Sequence, residues 1–288
     1  MLIEQIKIHE NFGSQYLDAP RNVLVYLPPG YGADETRRYP VFYMHDGQNL
    51  INPQDAFGGI VWGVDETAQE LILTNQIEPL IIVGIYNTGE KRIDEYTPVK
   101  SAGGRMRGRG GQADVYGRMI IEELKPFIDR TYLTKPEAEF TALGGSSLGG
   151  LVSLHLGFKR YDVFSRLAVL SPSVWWANNQ IIREVALIAE HLPLKIWLDI
   201  GRSEGSRIKH QVRALKEILR ANGWQNDKDL AYYEFPAARH EEAAWAARFG
   251  LVLKFLFPVA DIARTFETNQ FVNNTPTFET NEFQLPPD

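Results

Sequence analysis

The chain has 288 residues, of which 44% are apolar and 23% are charged, a composition typical of a globular protein built from one large α/β domain. Its net charge of −6 argues against nucleic acid as a partner, because nucleic-acid binding needs concentrated positive charge. The absence of cysteine excludes disulfides, thiolate catalysis and metal sites with cysteine ligands.

The first half of the chain predicts an antiparallel edge followed by buried strands. Residues 2–9 and 22–27 are rich in β-forming side chains and are separated by Gly, Asp and Pro, which indicates a pair of strands. Continuous apolar runs at 40–45 and 80–86 are typical of strands buried on both faces. Helical spacing of apolar residues predicts helices over 65–74 and 113–130.

From residue 140 onward, predicted strands alternate with predicted helices. The strands are expected at 140–143, 164–170, 194–200 and 232–235, and the helices directly after Ser147 and at 181–191, 207–222 and 241–257. Such alternation predicts a mostly parallel, doubly wound sheet with helices on both faces. We expect residues 1–260 to form this one domain.

Two stretches do not fit the alternation. Residues 101–111 are dense in Gly and Arg, which predicts a mobile loop, with a lid or an anion-steering loop as the alternative. Residues 261–288 form a tail in which Thr-Phe-Glu-Thr-Asn occurs twice, at 265–269 and 277–281. Its four phenylalanines predict that the tail packs on the body or on another subunit, so a homo-oligomer is possible.

The first ten residues lack the charged and then apolar pattern of a secretory signal, and no apolar run approaches 18 residues. We therefore expect a cytoplasmic protein with no membrane partner.

Residues 138–158 predict a strand, a glycine-rich corner and a helix, with Ser147 at the corner in the frame Gly145-x-Ser147-x-Gly149. This arrangement is typical of a nucleophile elbow, in which small neighbours let the strand and the helix approach closely. Ser146 does not fit the frame, because Leu148 would stand where a glycine is required. The alternative is a tight corner without chemistry.

A serine nucleophile needs a histidine base oriented by a carboxylate, in the chain order Ser, Asp or Glu, His. His240 follows the last predicted strand and precedes the final helix, where a doubly wound sheet with a nucleophile elbow places its base. Surface or core roles fit the other candidates better, namely His9, His155, His191 and His210. Glu204, in the loop after strand 194–200, is preferred as the acid over Asp199, which lies inside the strand.

The oxyanion of an ester transition state needs two preorganised donors. The Leu148 amide at the elbow is one candidate, and the Gln48 amide, turned inward by Gly47, is the other. His45 and Asp46 would suit a metal, but the sequence contains no second cluster with ligand spacing, so we expect neither a metal nor a cofactor.

Three tryptophans lie in segments that end near the carboxyl edge of the predicted sheet: Trp62, Trp175 and Trp176. Their flat rings could stack on a sugar or an aromatic acyl group, or they could belong to the core.

These residues together resemble one esterase family of α/β hydrolases, the group that contains esterase D, enterochelin esterases, feruloyl and acetylxylan esterases, and mycolyltransferases. The resemblance rests on residues 43–49, 57–62, 95–98, 144–150, 171–176, 201–205 and 240–245. It implies the α/β-hydrolase fold and a serine carboxylesterase for a small-molecule ester, with Ser147 as nucleophile, Glu204 as acid and His240 as base. Leu148 and Gln48 would then be the oxyanion donors. Two alternatives remain open: an acyltransferase with the same residues, and a noncatalytic binding or assembly module.

Overall fold

A computed structural model describes residues 5–188 and 190–259 of the protein. The strands form one eight-stranded sheet in the order β1-β2-β4-β3-β5-β6-β7-β8. Their bounds are β1 Ile6–Phe12, β2 Arg21–Tyr26, β3 Val41–His45, β4 Ile81–Ile85, β5 Thr141–Ser146, β6 Arg166–Leu170, β7 Lys195–Gly201 and β8 Leu230–Phe235.

The sheet is parallel except at its N-terminal edge. β1 pairs antiparallel with β2, and β2 pairs antiparallel with β4, whereas every other neighbouring pair is parallel. The five residues of β3 and of β4 are all buried, as expected for strands covered on both faces. The predicted architecture, a mostly parallel sheet with an antiparallel edge, is confirmed.

The described residues form eight α-helices: α1 Val64–Leu73, α2 Arg92–Glu95, α3 Ala113–Arg118, α4 Lys125–Thr131, α5 Leu148–Lys159, α6 Trp176–Ala186, α7 Ser206–Ala221 and α8 Glu242–Leu256. A π-helical segment, Met119–Leu124, joins α3 to α4, so the single helix expected over 113–130 is present with a wider turn in its middle. α6 begins earlier than predicted, and Ala177, Asn178 and Asn179 at its start have positive φ.

The helices cover both faces of the sheet. Buried side chains of α1 and α8, such as Leu71 and Phe249, pack with Phe42 of β3 on one face. Buried side chains of α3 to α7, such as Leu154 and Leu215, form the core of the other face. Because β3 and β5 to β8 run in the same direction, the loops that leave their carboxyl ends meet at one edge of the sheet.

No helix in the described part of the chain is both long enough and apolar enough to cross a bilayer. The tail at 261–288 lies outside the described residues, so its packing stays a prediction, as do the oligomeric state and the cytoplasmic location.

Candidate active site

Ser147 stands alone between the end of β5 and the start of α5. Its backbone has φ 58° and ψ −118°, a conformation that residues with a side chain rarely adopt. The corner closes because Gly145 and Gly149 lack side chains: an added Cβ would lie 3.1 Å and 3.3 Å, respectively, from the Cβ of His45. The amide of Ser147 donates to the Leu170 carbonyl at 3.0 Å, which ties the corner to β6.

His240 lies in the loop between β8 and α8 and reaches both other members of the predicted triad. Its Nε2 is 2.9 Å from Ser147 Oγ, and its Nδ1 is 2.7 Å from Glu204 Oε2. The side chain of His240 is 41% exposed, whereas that of Glu204 is completely buried. The three residues that sequence reasoning selected are therefore brought together in one chain of hydrogen bonds that opens to solvent at the serine and the imidazole.

Glu204 lies in the loop after β7, and both of its carboxylate oxygens have partners. Oε1 accepts hydrogen bonds from the Ser171 hydroxyl at 2.6 Å and from the Gly201 amide at 2.7 Å, while Oε2 faces His240. Burial by itself raises the pKa of Glu204, but the hydrogen bonds from His240, Ser171 and Gly201 outweigh it and place the pKa below its usual value. The carboxylate is thus held in its ionised form.

Asp199, the rival acid, is buried inside β7 and has other partners. Its Oδ1 accepts from Arg248 Nη2 at 2.8 Å and from the Ser171 amide at 3.1 Å, and its Oδ2 accepts from Trp197 Nε1 at 2.7 Å. Burial raises the pKa of Asp199 to about 6 despite these donors. Asp199 therefore belongs to a buried polar cluster, and Glu204 is the carboxylate that contacts His240.

The two predicted oxyanion donors lie just after the carboxyl ends of two neighbouring strands, β5 and β3. Leu148 is the first residue of α5, so its N–H has no acceptor within the helix. Gln48 lies in the 3-10 turn Gly47–Asn49 after β3, which pairs in parallel with β5. A Cβ on Gly47 would lie 2.4 Å from the backbone of Gly84, so only glycine lets this turn pass so close to β4.

His45 and Asp46, which suggested a metal, make other contacts. Asp46 forms a bidentate pair with Arg92, both distances being 2.7 Å, and accepts a third hydrogen bond from Asn87. His45 Nδ1 is 2.9 Å from the Tyr116 hydroxyl, and burial lowers the pKa of His45 to about 3. Within the described ranges, no group of three or more His, Asp or Glu is arranged to hold a metal ion.

Of the three tryptophans proposed for substrate stacking, two are in the core. Trp62 is 5% exposed and donates its Nε1–H to Glu242 Oε2, and Trp176 is 3% exposed and donates its Nε1–H to the Val99 carbonyl at 2.7 Å. Their rings are covered, which corrects the stacking hypothesis for both in favour of the core alternative. Trp175 is 42% exposed, and its role in binding substrate stays a prediction.

The loop at 101–111 is anchored at its end and exposed at its centre. The Gly110 amide donates to Asp94 Oδ1 at 2.6 Å, and an added Cβ on Gly110 would lie 2.8 Å from the ring of Trp176. Arg105 and Arg107 are exposed. The Trp176 ring therefore supports the base of this loop, and a lid or anion-steering role of the loop stays a prediction.

Sequence reasoning missed Ser171 and Arg248, which lie directly behind Glu204. Ser171 immediately follows β6, at the same edge of the sheet as the other site residues, and this strand-end position is a signal that could have found it. Arg248 is 2% exposed on the apolar face of α8, beside Phe249 and Val252. A charged residue within an apolar helical stripe is a second such signal.

A sequence model of the family described as "Putative esterase" matches residues 14–256 of the chain. The YbbA protein of Bacillus subtilis (strain 168) is 26% identical over 240 residues, which cover 80% of this chain and 90% of YbbA. The ferri-bacillibactin esterase BesA of the same organism is 30% identical over 202 residues, covering 63% of this chain and 66% of BesA.

Solved structures give the same fold. The crystal structure of an IroE-like serine hydrolase from Shewanella oneidensis superposes with a TM-score of 0.70 at 22% identity, covering 87% of this chain and 78% of that one. The likeness confirms the α/β-hydrolase fold. Because the family match spans most of the described residues, the chain belongs to this esterase family of α/β hydrolases, enzymes that hydrolyse esters.

Proposed function

We propose that the protein is a serine carboxylesterase that forms an acyl-enzyme on Ser147. The observation that carries the proposal is the hydrogen-bonded chain from Ser147 Oγ through His240 to Glu204, with distances of 2.9 Å and 2.7 Å. A serine hydroxyl is a poor nucleophile at neutral pH and is activated by this arrangement of base and carboxylate.

In the first half of the reaction, Ser147 Oγ attacks the ester carbonyl while its proton passes to His240 Nε2. The Leu148 and Gln48 amides donate hydrogen bonds to the carbonyl oxygen and stabilise the negative charge that develops on it. The ionised carboxylate of Glu204 stabilises the imidazolium that forms. The tetrahedral intermediate collapses, His240 returns the proton to the leaving alcohol, and the acyl group remains on Ser147.

In the second half, water replaces the alcohol. His240 takes a proton from water as the oxygen attacks the acyl carbon, and the same two amides hold the second oxyanion. The acid product leaves, and the proton returns to Ser147 Oγ.

For the substrate, we propose a small-molecule ester with a small or aromatic acyl group. The name of the relative BesA, a ferri-bacillibactin esterase, supports a small-molecule ester. The exposed ring of Trp175 supports an aromatic acyl group, because such a ring offers a flat apolar surface.

A fluorophosphonate probe tests the proposal. Wild type should be labelled at Ser147, and Ser147→Ala should not be labelled, whereas Ser146→Ala, which removes the neighbouring hydroxyl from β5, should keep its labelling. His240→Ala should lose p-nitrophenyl acetate turnover by at least about a thousandfold. Absence of labelling in the wild type, or labelling that persists in Ser147→Ala, would contradict the proposal.

A further inference from the structure

A cluster of buried side chains lies behind Glu204, and one of its members, Trp245, also packs edge-to-face against His240, with the ring centroids 4.9 Å apart. It consists of Ser171, Asp199, Trp245 and Arg248, and we refer to it as the Ser171 cluster. Ser171 and Asp199 are 0% exposed, Arg248 2% and Trp245 4%. Within the described residues, none of the four forms a hydrogen bond with Ser147. Ser171 donates to Glu204, and the other three form hydrogen bonds with Ser171.

The donors around Ser171 determine the direction of its hydroxyl proton. Ser171 Oγ is 3.0 Å from Trp245 Nε1, 2.7 Å from Arg248 Nη2 and 2.6 Å from Glu204 Oε1. Indole and guanidinium nitrogens can only donate, so Oγ accepts from both with its two lone pairs. Its single O–H is then left to donate to Glu204.

Asp199 holds both the backbone of Ser171 and the guanidinium of Arg248. The Ser171 amide donates to the carbonyl and to Oδ1 of Asp199, each at 3.1 Å, and Arg248 Nη2 donates to the same Oδ1 at 2.8 Å. Ser171 has φ 42°, in the left-handed region that residues with a Cβ rarely adopt. The hydrogen bonds from the Ser171 amide to Asp199 hold the backbone in that region, and this fixes the direction in which the side chain leaves it.

The consequence reaches Glu204. Its Oε1 is occupied by Ser171 and by the Gly201 amide, so Oε2 is the oxygen presented to His240. Arg248 Nη2 is 4.0 Å from Oε1 and adds a positive charge on the same side. Both effects keep the carboxylate ionised and fixed in direction.

We propose that Ser171 is a positioning residue, whose hydroxyl is directed by Trp245 and Arg248 to hold Glu204 with Oε2 facing His240. The inference deepens the proposed function, because it concerns the carboxylate of the same triad.

The test is Ser171→Gly, which removes the hydroxyl and accepts the positive φ without strain. We expect kcat to fall by about tenfold to a hundredfold with KM nearly unchanged, the effect of losing a hydrogen bond to a charged group. The Ser171 hydrogen bond lowers the pKa of Glu204, so this pKa should rise in the variant.

The Glu204 titration can be followed by carbon NMR of labelled glutamate, with its signal identified by its loss in Glu204→Gln. Ser153→Ala is the matched control, because Ser153 is also fully buried but donates its hydroxyl to the Gly149 carbonyl at 2.7 Å. It should leave the Glu204 titration where it is in the wild type. Trp245→Phe removes one of the two donors to Ser171 and keeps an aromatic ring beside His240. It should shift kcat and the Glu204 titration in the same direction as Ser171→Gly but less.

An unchanged Glu204 titration and kcat in folded Ser171→Gly would overturn the inference while leaving Ser147 labelling, and with it the proposed function, intact. If instead the wild type is not labelled by fluorophosphonate, the proposed function fails, and the NMR titration still decides whether Ser171 holds Glu204.

Discussion

Ser147 combines a strained backbone with a hydroxyl that faces His240. Its φ of 58° and ψ of −118° cost free energy, about 1 to 3 kcal/mol for such a conformation, which the surrounding contacts must offset. Those contacts include the hydrogen bond to Leu170 and the packing of two glycines against His45. The strain places Oγ clear of both the strand and the helix, within reach of the imidazole.

At the residue scale, the first prediction concerns Glu204→Gln. The glutamine keeps the shape of the side chain but removes the charge that stabilises the imidazolium, and its amide can force the wrong tautomer on His240. We expect kcat to fall by at least about a hundredfold with little change in KM. Steady-state kinetics on an activated ester measures both.

Asp199→Asn is the control for that prediction. It removes the negative charge beside the buried guanidinium of Arg248, so the free energy of unfolding should fall by about 3 kcal/mol or more. The loss of kcat in the folded protein should be much smaller than in Glu204→Gln. The opposite ranking of the two rates would show that the acid has been assigned to the wrong carboxylate.

At the scale of elements, the site depends on how closely α5 approaches β5 and β6. Gly150, in the first turn of α5, faces backbone atoms of both strands and of the loop after β6: an added Cβ would lie 3.1 Å from the Leu170 carbonyl, 3.2 Å from the Gly145 carbonyl and 3.3 Å from the Cα of Pro172. Backbone atoms of a central sheet cannot move aside as a flexible side chain can.

Gly150→Ala should therefore move α5 away from the sheet by a few tenths of an ångström and displace the Leu148 amide. We expect a loss of kcat of about tenfold, since displacements in this range weaken transition-state contacts, and a loss of stability of about 1 to 3 kcal/mol. Gly13→Ala is the comparison, because an added Cβ there meets nothing within 4 Å. Equal kinetics and equal urea unfolding midpoints in the two variants would contradict this account.

At the scale of the whole molecule, the sheet brings residues from distant parts of the chain together at the site. The burial of a histidine at the end of one strand makes the free energy of unfolding depend on pH. His45, at the end of β3, lies between Tyr116 and the glycines of the elbow and is 2% exposed. Burial lowers the pKa of His45 from 6.5 to about 3 in the folded protein. Below pH 6.5 the unfolded chain takes up a proton that the folded protein does not, so stability is lost as pH falls.

Each pH unit below 6.5 should therefore cost about 1.4 kcal/mol through His45, or about 2 kcal/mol between pH 7 and pH 5. In His45→Gln, which can still hydrogen-bond Tyr116 but does not titrate, this contribution should be absent. The difference in unfolding free energy between wild type and variant, measured with urea at pH 7 and pH 5, should shrink by that amount toward low pH. A difference that stays constant with pH would mean that His45 becomes protonated without unfolding.

The sequence by itself determined the order of the strands, most of the helices and the position of the elbow. Continuous apolar runs predicted β3 and β4, helical spacing predicted α1, α7 and α8, and the glycines around Ser147 predicted the corner. These features depend on neighbours in the chain, which a local pattern records.

Only the tertiary structure decided which side chains meet. Asp199 lies near the end of β7 and Glu204 in the loop that follows, only five positions later. The contact with His240, 36 residues beyond Glu204, is what distinguishes the acid from its rival. Trp62 and Trp176 are placed in the core by partners far along the chain, and Ser171 is tied to Arg248 across 77 positions. Contacts of this kind depend on packing between elements, which no pattern along the sequence contains.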